Sequence, residues 1–301
     1  MSALNHLSDA AKEVLSLSNS ERIEYILRDR WVGYDRANQI IAKLEDLLVH
    51  PKIGRMPNML IVGNTNNGKS RIVKHFVDKH PAIDNPIGRG IKVPVLYIEA
   101  PDSPDLSHFY SIILDRLFAP HKVSDKLEKK QDQVIHVLKQ IDLGIIIIDE
   151  MNNLIAGSPT HQRVFLNAIK YLGNQLQRSI VGAGTQDALR GLQSDEQLSN
   201  RFLPELLPRW RLDKQFLMLL ASLEKIIPLK DPSNLVDKAI ATKLYAMSEG
   251  TIGELSMLIN AAAIWAIRNA KPNQPECITV QALNECGYIP PSIRKNVALK
   301  L

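Results

Sequence analysis

Short apolar runs alternate with helix-length amphipathic stretches over the first two thirds of the chain. The runs lie at residues 59–63, 94–100, 143–149 and 179–184. Runs of this length, separated by helical stretches, are typical of βαβ units, whose strands are buried on both faces. The pattern predicts an α/β fold with a parallel five-stranded sheet flanked by helices, its fifth strand being a shorter run at residues 210–212.

Helical periodicity marks both ends of the chain. Residues 8–29 predict one or two amphipathic helices, with Ser18 and Glu21 spaced as a capping box, and residues 35–48 repeat the pattern. After residue 212 only helical stretches follow, at residues 214–226, 236–248, 252–269 and 280–286. We therefore expect an N-terminal helical extension (residues 1–30), an α/β domain (residues 31–212), and a helical lid with a basic tail (residues 213–301).

Composition narrows the class of protein. Of 301 residues, 45% are hydrophobic, and the chain has 37 Lys and Arg and 32 Asp and Glu. This composition excludes disordered and collagen-like chains. No apolar run approaches the roughly 20 residues of a membrane span, and no basic-then-apolar leader is present, so we expect a cytoplasmic protein without a membrane partner. Cys277 and Cys286 fit neither a CxxC pair nor a zinc site and are expected to be reduced thiols.

A glycine-rich segment follows the first predicted strand and precedes an amphipathic stretch. It reads Gly63-Asn64-Thr65-Asn66-Asn67-Gly68-Lys69-Ser70, which matches GxxxxGK[ST] at every fixed position, and Arg71 follows it. In this motif backbone N–H groups and a helix N terminus bind phosphate oxygens, the lysine binds the β- and γ-phosphates, and the serine ligates magnesium. We predict that residues 63–71 bind ATP and that Ser70 is a ligand of Mg²⁺.

Two carboxylates end the third predicted strand. Asp149 and Glu150 follow a run of four isoleucines, at the carboxyl end where parallel sheets bind ligands. A strand that ends in two acids is often merely solvated, but a phosphate-binding loop upstream with one strand between favours a functional pair. We predict that Asp149 holds Mg²⁺ and that Glu150 polarises the water that attacks the γ-phosphate.

Two further polar residues lie near the later strands. Thr185 follows the fourth strand, where it is placed to orient the attacking water or to sense the γ-phosphate, although an N-cap of the next helix is the alternative. Arg201 lies between the fourth and fifth strands. An arginine there can neutralise transition-state charge in a neighbouring subunit, and a surface salt bridge is the alternative.

The loop and the residues before it resemble one protein family. Residues 55–70 read RMPNMLIVGNTNNGKS and are similar to the RMPNLLIVGxTNNGKT stretch of the TniB family, AAA+ ATPases of transposition systems related to TnsC and more distantly to MuB. The resemblance covers roughly residues 20–270. It implies an AAA+ ATPase in which Lys69, Ser70, Asp149 and Glu150 act on ATP and Mg²⁺, Thr185 is the first sensor and Arg201 is the arginine finger.

The resemblance also implies partners. Family members assemble as rings or helical filaments on double-stranded DNA without sequence preference and, with a target-selection protein, recruit the transposase. By this likeness the candidate DNA contacts are Arg89, Lys92, Lys122 and Lys126, although acidic neighbours leave a solvated helix face as the alternative for the lysines. Trp31 and Val32 lie where AAA+ proteins line the adenine, and core packing is the alternative for Trp31.

One departure from the family pattern concerns the lid. Many AAA+ lids have a sensor arginine where this chain has Glu254, which predicts slow hydrolysis suited to a switch. The leading hypothesis is therefore a DNA-binding ATPase that regulates transposition. A replication initiator or helicase loader is the alternative, and a third is an adaptor whose nucleotide site only supports assembly, which Glu150 disfavours and Glu254 favours.

Overall fold

The computed structural model describes residues 4–84, 90–155 and 159–298, so that Arg89 lies outside the described residues. The chain forms two compact units. One is Asp35–Pro208, here called the α/β unit, and the other combines Met1–Tyr34 with Arg209–Leu301 and is called the helical unit. Among the described residues, no helix is both long and apolar enough to cross a membrane.

Within the described residues, the strands all belong to the α/β unit. They are β1 (Asn58–Gly63), β2 (Ile83–Asp84), β3 (Ile91–Lys92), β4 (Val95–Glu99), β5 (Ile145–Asp149), β6 (Ser179–Gly184) and β7 (Phe202–Leu207). Five of them form a parallel sheet in the order β4-β5-β6-β1-β7, while β2 and β3 pair with each other antiparallel. Every residue of β1, β5 and β6 is buried, as expected for strands covered on both faces. The predicted five-stranded parallel sheet is confirmed.

The fifth strand is β7, so its predicted position at residues 210–212 is wrong. β7 lies at the edge of the sheet, where a proline such as Pro204 is tolerated. Together with Glu205, a buried acid that pairs with Arg36 and Lys43, this proline obscures the strand pattern in the sequence. Trp210 belongs to the helical unit instead, and its ring packs against Phe216.

Helices occur in both units. In chain order they are α1 (Asp9–Leu15), α2 (Asn19–Leu27), α3 (Asp35–Leu48), α4 (Lys69–Lys79), α5 (Leu106–Arg116), α6 (Leu127–Gln140), α7 (Asn152–Ile155), α8 (Pro159–Leu176), α9 (Gln186–Gln193), α10 (Glu196–Ser199), α11 (Lys214–Lys225), α12 (Lys238–Ser248), α13 (Ile252–Arg268), α14 (Val280–Glu285) and α15 (Pro291–Ala298). Apolar residues of α5, α6, α8 and α9 pack with those of β1, β4, β5 and β6 in one core.

The helical unit has a core of its own, formed by α2 and α11–α14. The predicted capping box at the start of α2 is present, because the Ser18 hydroxyl accepts from the Glu21 N–H and the Glu21 carboxylate accepts from the Ser18 N–H. Arg22 of α2 is buried and forms an ion pair with buried Glu276. This ion pair fixes α2 to the segment between α13 and α14 within this unit.

Candidate active site

The glycine-rich loop joins β1 to α4 in a backbone shape that its sequence requires. Asn66 and Gly68 have positive φ angles of 60° and 89°, which asparagine and glycine adopt more readily than other residues. A Cβ atom added at Gly63 would lie 3.1 Å from the Cβ atom of Leu207, so the close approach of β7 favours glycine there. The predicted strand, loop and helix are thus all present.

Asn67 holds the loop against the end of β7. Its side chain is buried, and its Nδ2 donates to the carbonyls of Leu207 at 2.8 Å and Pro208 at 3.1 Å. Its Oδ1 is buried without a partner among the described residues. The second asparagine of the Asn-Asn-Gly sequence therefore has a structural reason, which is to fix the loop on the neighbouring strand.

Lys69 is the first residue of α4 and is held inside the loop. Its Nζ donates to the carbonyls of Gly63 and Asn64, both at 3.0 Å. Burial lowers the pKa of Lys69, while the charges of Glu150 and Asp149 act to raise it. An ammonium group has three donors, so one is left to point at a ligand. Gly68 caps α4 without a side chain, which leaves the helix N terminus available to an anion.

Asp149 ends β5 and is buried, with both carboxylate oxygens engaged. Oδ2 accepts from the Tyr97 hydroxyl at 3.0 Å, and Oδ1 accepts from the Glu150 N–H at 2.9 Å. Burial and the neighbouring acid Asp149 raise the pKa of Tyr97, which keeps its hydroxyl a donor. Tyr97 was not among the predicted site residues, because nothing in the sequence marks a tyrosine in mid-strand as the partner of an acid on the next strand.

Glu150 follows Asp149 in the left-handed region, with φ 51°, an uncommon conformation for a glutamate. The Asn152 Nδ2 lies 3.4 Å from its Oε2. Met151 follows, and its Sδ lies 2.3 Å from the position that a Cβ atom on Gly182 would take. Glycine in β6 therefore gives room to the chain that carries Glu150.

The donors at this end of the sheet fit magnesium. Mg²⁺ prefers oxygen ligands and usually takes one or two from the protein, completing its shell with phosphates and water. The Ser70 hydroxyl and the Asp149 carboxylate are such donors. No group of three or more His, Cys, Asp or Glu forms a metal site in the part of the chain that the structure describes.

Thr185 lies at the N-cap position of α9, directly after β6. Its side chain makes no capping hydrogen bond, so N-capping does not account for this residue. Because β6 pairs with β5 in parallel, Thr185, directly after β6, and Asp149, the last residue of β5, lie at the same end of adjacent strands. The sensor role stays a prediction.

Arg201 immediately precedes β7, at the opposite end of the sheet from the loop. The register pairs Asn58 with Phe202 and Gly63 with Leu207, so the glycine-rich loop begins where β7 ends. The Arg201 Nη1 donates to the Asn174 Oδ1 of α8 at 2.9 Å. Its observed partner is an amide rather than the carboxylate of a surface salt bridge.

The remaining candidates differ in their surroundings. Trp31 and Val32 belong to the helical unit, where Val32 packs against the core, and their contact with adenine stays a prediction. Lys122 and Lys126 are exposed, whereas Lys92 forms an ion pair with Asp142 at 2.9 Å. Lys130, in the same basic stretch, is buried and donates to Ser107, Ser111 and the Val123 carbonyl. Of the three DNA-binding candidates that the structure describes, Lys122 and Lys126 are thus the most open to a large partner.

The parallel sheet, the glycine-rich loop before α4 and the C-terminal helices define the class of protein, which is the P-loop AAA+ ATPases. The chain is similar to the ORC2 protein of Aeropyrum pernix (ADPNP-ADP complexes), with 15% identity, a TM-score of 0.58, and 87% of this chain and 70% of that chain covered. It is similar to Cdc6p from Pyrobaculum aerophilum, with 14% identity, a TM-score of 0.59, and coverage of 90% and 70%. Drosophila ORC bound to DNA has 14% identity, a TM-score of 0.56, and coverage of 93% and 66%.

Within this class the chain belongs to the TniB family, since the family model described as bacterial TniB protein matches residues 22–212. The matched residues include the glycine-rich loop, Asp149, Glu150, Thr185 and Arg201. The resemblance seen in residues 55–70 is therefore confirmed. A search of curated proteins finds no match to this sequence.

Proposed function

We propose that this chain is an ATP-dependent regulator of DNA transposition, which oligomerises on target DNA and recruits the transposase. The observation that carries the proposal is a full set of P-loop residues and strand-end acids in a chain of the TniB family. One of its fold neighbours is a Walker-type ATPase of Pyrococcus abyssi, and two others are structures with DNA: A. pernix ORC1 in complex with DNA and Drosophila ORC bound to DNA.

The site residues divide the work of ATP hydrolysis among them. The loop N–H groups and the third donor of Lys69 bind phosphate oxygens, and Ser70 and Asp149 hold Mg²⁺, which when bound neutralises charge on the phosphates. Glu150 takes the proton of the attacking water as general base, and Thr185 orients that water. Each group lies at the carboxyl ends of β1, β5 or β6, so one bound nucleotide is placed to meet them all.

Hydrolysis is proposed to be slow, so that ATP acts as a timer. Glu254 lies in the first turn of α13, is buried, and accepts from the Tyr288 hydroxyl at 2.6 Å and from Arg294. Its carboxylate is therefore engaged within the helical unit. An anion where many AAA+ lids have a cation gives no stabilisation to phosphate oxygens, which supports slow turnover.

DNA binding is proposed to involve the loop between α5 and α6. Lys122 and Lys126 are exposed there, and so are Phe118, 94% accessible, and Val123, 89% accessible. Asp125 accepts hydrogen bonds from the Lys129 ammonium, in the first turn of α6, and from the Lys122 N–H, so its charge is compensated locally. The loop therefore offers apolar side chains beside two exposed lysines, a combination that suits nucleic acid.

The alternative function is replication initiation or helicase loading, which the ORC and Cdc6p fold neighbours favour. Co-sedimentation on duplex DNA tests the two, using the chain with an ATP analogue and either the cognate transposase or the replicative helicase. We expect the transposase to be retained only when chain, DNA and analogue are all present. Retention of the helicase instead, with no retention of the transposase, would overturn the proposal in favour of the alternative.

A further inference from the structure

Tyr97 lies in β4, the strand beside β5, and reaches across to the acid at the end of β5. The register pairs Tyr97 with Ile147, so Asp149 is two residues further along on the same face. The Tyr97 hydroxyl donates to Asp149 Oδ2 at 3.0 Å. The ring is partly buried at the edge of the sheet, and its hydroxyl is directed at a buried carboxylate.

The bond from Tyr97 completes the fixation of that carboxylate. Asp149 Oδ1 already accepts from the Glu150 N–H at 2.9 Å, which holds one oxygen but leaves the group able to rotate. A second donor on Oδ2 stops the rotation. Each carboxylate oxygen has two lone pairs, so both oxygens keep one acceptor position for a further ligand.

Tyr97 also contacts the helix that carries Ser70. The Lys74 Nζ of α4 lies 5.8 Å from the centroid of the Tyr97 ring, within the range of a cation–π contact. Lys74 is one turn beyond Ser70 on the same helix. The tyrosine therefore touches both elements that supply the magnesium donors, through its ring on one side and its hydroxyl on the other.

We propose that Tyr97 is a positioning residue for magnesium, which holds the Asp149 carboxylate in the orientation that binds the ion. The proposal rests on the ATP-binding part of the proposed function. Tyr97 itself is not a ligand and touches no reacting atom. Partners that orient a metal-binding side chain commonly change metal affinity or activity by about 10- to 100-fold when they are removed.

The test compares two tyrosine-to-phenylalanine variants, each of which loses one hydroxyl and keeps its ring. Tyr97→Phe removes the donor to Asp149. Tyr110→Phe is the matched control, because the Tyr110 hydroxyl accepts from Gln131 at 3.0 Å, in the same unit but on α5. The affinity for a fluorescent ATP analogue is measured first in EDTA and then across a Mg²⁺ titration, and Mn²⁺ binding is measured by electron paramagnetic resonance.

We expect Tyr97→Phe to bind the analogue in EDTA as the wild type does. Its half-saturating Mg²⁺ concentration should rise about 10-fold or more. Its kcat should fall at limiting Mg²⁺ and recover at saturating Mg²⁺, and its Mn²⁺ affinity should drop, while Tyr110→Phe stays at the wild-type values. A merely structural role would lower binding in EDTA as well and would not be corrected by excess metal.

Two results would overturn the proposal. One is an unchanged metal requirement in Tyr97→Phe, and the other is an equal shift in both variants. If the wild-type protein binds no nucleotide, either in EDTA or in Mg²⁺, both the proposed ATP-dependent function and the role of Tyr97 are wrong. Normal wild-type binding with an unaltered Tyr97→Phe would remove only the role of Tyr97.

Discussion

At the scale of single residues, the surroundings of Lys69 suit a role in binding ATP, and those of Glu150 suit a role in hydrolysing it. Lys69 is buried and anchored to two loop carbonyls, so its ammonium belongs to the surface that receives phosphate. Glu150 is half-buried and left-handed, and its contact with Asn152 is long at 3.4 Å. Glu150 therefore has a strained backbone and a weakly held side chain, whereas its neighbour Asp149 is held by two hydrogen bonds. Strain of this kind is typical of catalytic groups rather than of structural ones.

The first prediction follows from that separation. Lys69→Ala should abolish ATP binding, because the proposal makes this buried cation the direct partner of the phosphates. Glu150→Gln should bind ATP at the wild-type affinity and lose kcat by about 10²- to 10⁴-fold, since an amide cannot take a proton from water. Fluorescent-nucleotide titration and steady-state phosphate release measure the two quantities. Glu128→Gln, an exposed acid on α6, is the control, and wild-type turnover by Glu150→Gln would remove Glu150 from the mechanism.

Local sequence predicts the residues of this site that are contiguous in the chain and misses those that tertiary structure supplies. The glycine-rich loop is a local motif, so its strand, glycines and helix are all placed correctly from the sequence. Tyr97 comes from an adjacent strand, and Asn174 comes from α8 to meet Arg201. The spacing of residues along the sequence cannot predict these partners, because their proximity depends on the order of the strands in the sheet.

At the scale of elements, two arginines at the end and middle of α2 have opposite environments. Arg22 is 1% exposed, pairs with Glu276, and donates to the Pro228 carbonyl at 2.7 Å. Arg28 caps the same helix and pairs with Glu24, with side chains 65% and 66% exposed. The two pairs differ in burial and in the carbonyl contact of Arg22, so comparing them tests how much the buried arginine contributes to holding α2 on its unit.

The second prediction is that Arg22→Ala lowers the free energy of unfolding of the helical unit by about 3–5 kcal/mol, because Glu276 loses its buried partner and keeps the more exposed Lys230 ammonium, 3.4 Å away. Arg28→Ala should change the same quantity by less than about 1 kcal/mol, as exposed pairs do. Chemical denaturation followed by circular dichroism measures both. Equal losses in the two variants would contradict the assignment of Arg22 as the anchor of α2.

The elements that sequence periodicity places well are those whose neighbours are local. α3 has the predicted bounds of residues 35–48, and the capping box of α2 forms as its spacing requires. β7 was misplaced because its edge position allows Pro204 and Glu205, which interrupt the apolar pattern that buried strands have. Arg36 and Lys43 of α3 form ion pairs with the buried Glu205 and so compensate its charge. Both lie far from β7 in the sequence, so the residues around β7 do not predict these pairs.

At the scale of the whole molecule, the position of Arg201 bears on assembly. Arg201 precedes β7, and the phosphate loop begins level with the other end of that strand. Six residues of strand span about 20 Å, much farther than an arginine side chain extends. Arg201 therefore cannot reach the phosphates of its own chain, and a role in hydrolysis requires a second copy.

The third prediction is complementation between two inactive variants. Lys69→Ala lacks the proposed phosphate-binding lysine and Arg201→Ala lacks the proposed finger, so a mixed assembly contains sites that join an intact loop to an intact arginine. We expect ATPase activity to return on mixing, with a maximum near equal proportions. Asn174→Ala is the control for Arg201→Ala. It removes the hydrogen bond to Arg201 but keeps the charge of the arginine, so it should stay active. Mixed oligomers that form but remain inactive at every ratio would exclude a finger in trans.

The last prediction concerns DNA and the loop that carries Lys122 and Lys126. Contacts between ammonium groups and phosphates read no sequence, so binding should be almost independent of sequence and should weaken steeply with salt, with a log–log slope of about −0.9 per phosphate neutralised. An ATP analogue should strengthen binding, because an assembled oligomer presents many such loops to one duplex.

The double variant Lys122→Ala with Lys126→Ala should bind DNA more weakly and with a flatter salt slope, while its nucleotide affinity stays unchanged. Lys52→Ala with Lys139→Ala is the matched control, since it removes the same charge from exposed positions of the same unit, and Lys139 lies towards the far end of α6. Fluorescence anisotropy of a labelled duplex across a salt series, with analogue, with ADP and without nucleotide, measures all of these effects. Equal losses of DNA affinity in the two double variants would show that only net charge matters. Equal DNA affinity with analogue, with ADP and without nucleotide would refute the idea that ATP switches DNA binding on.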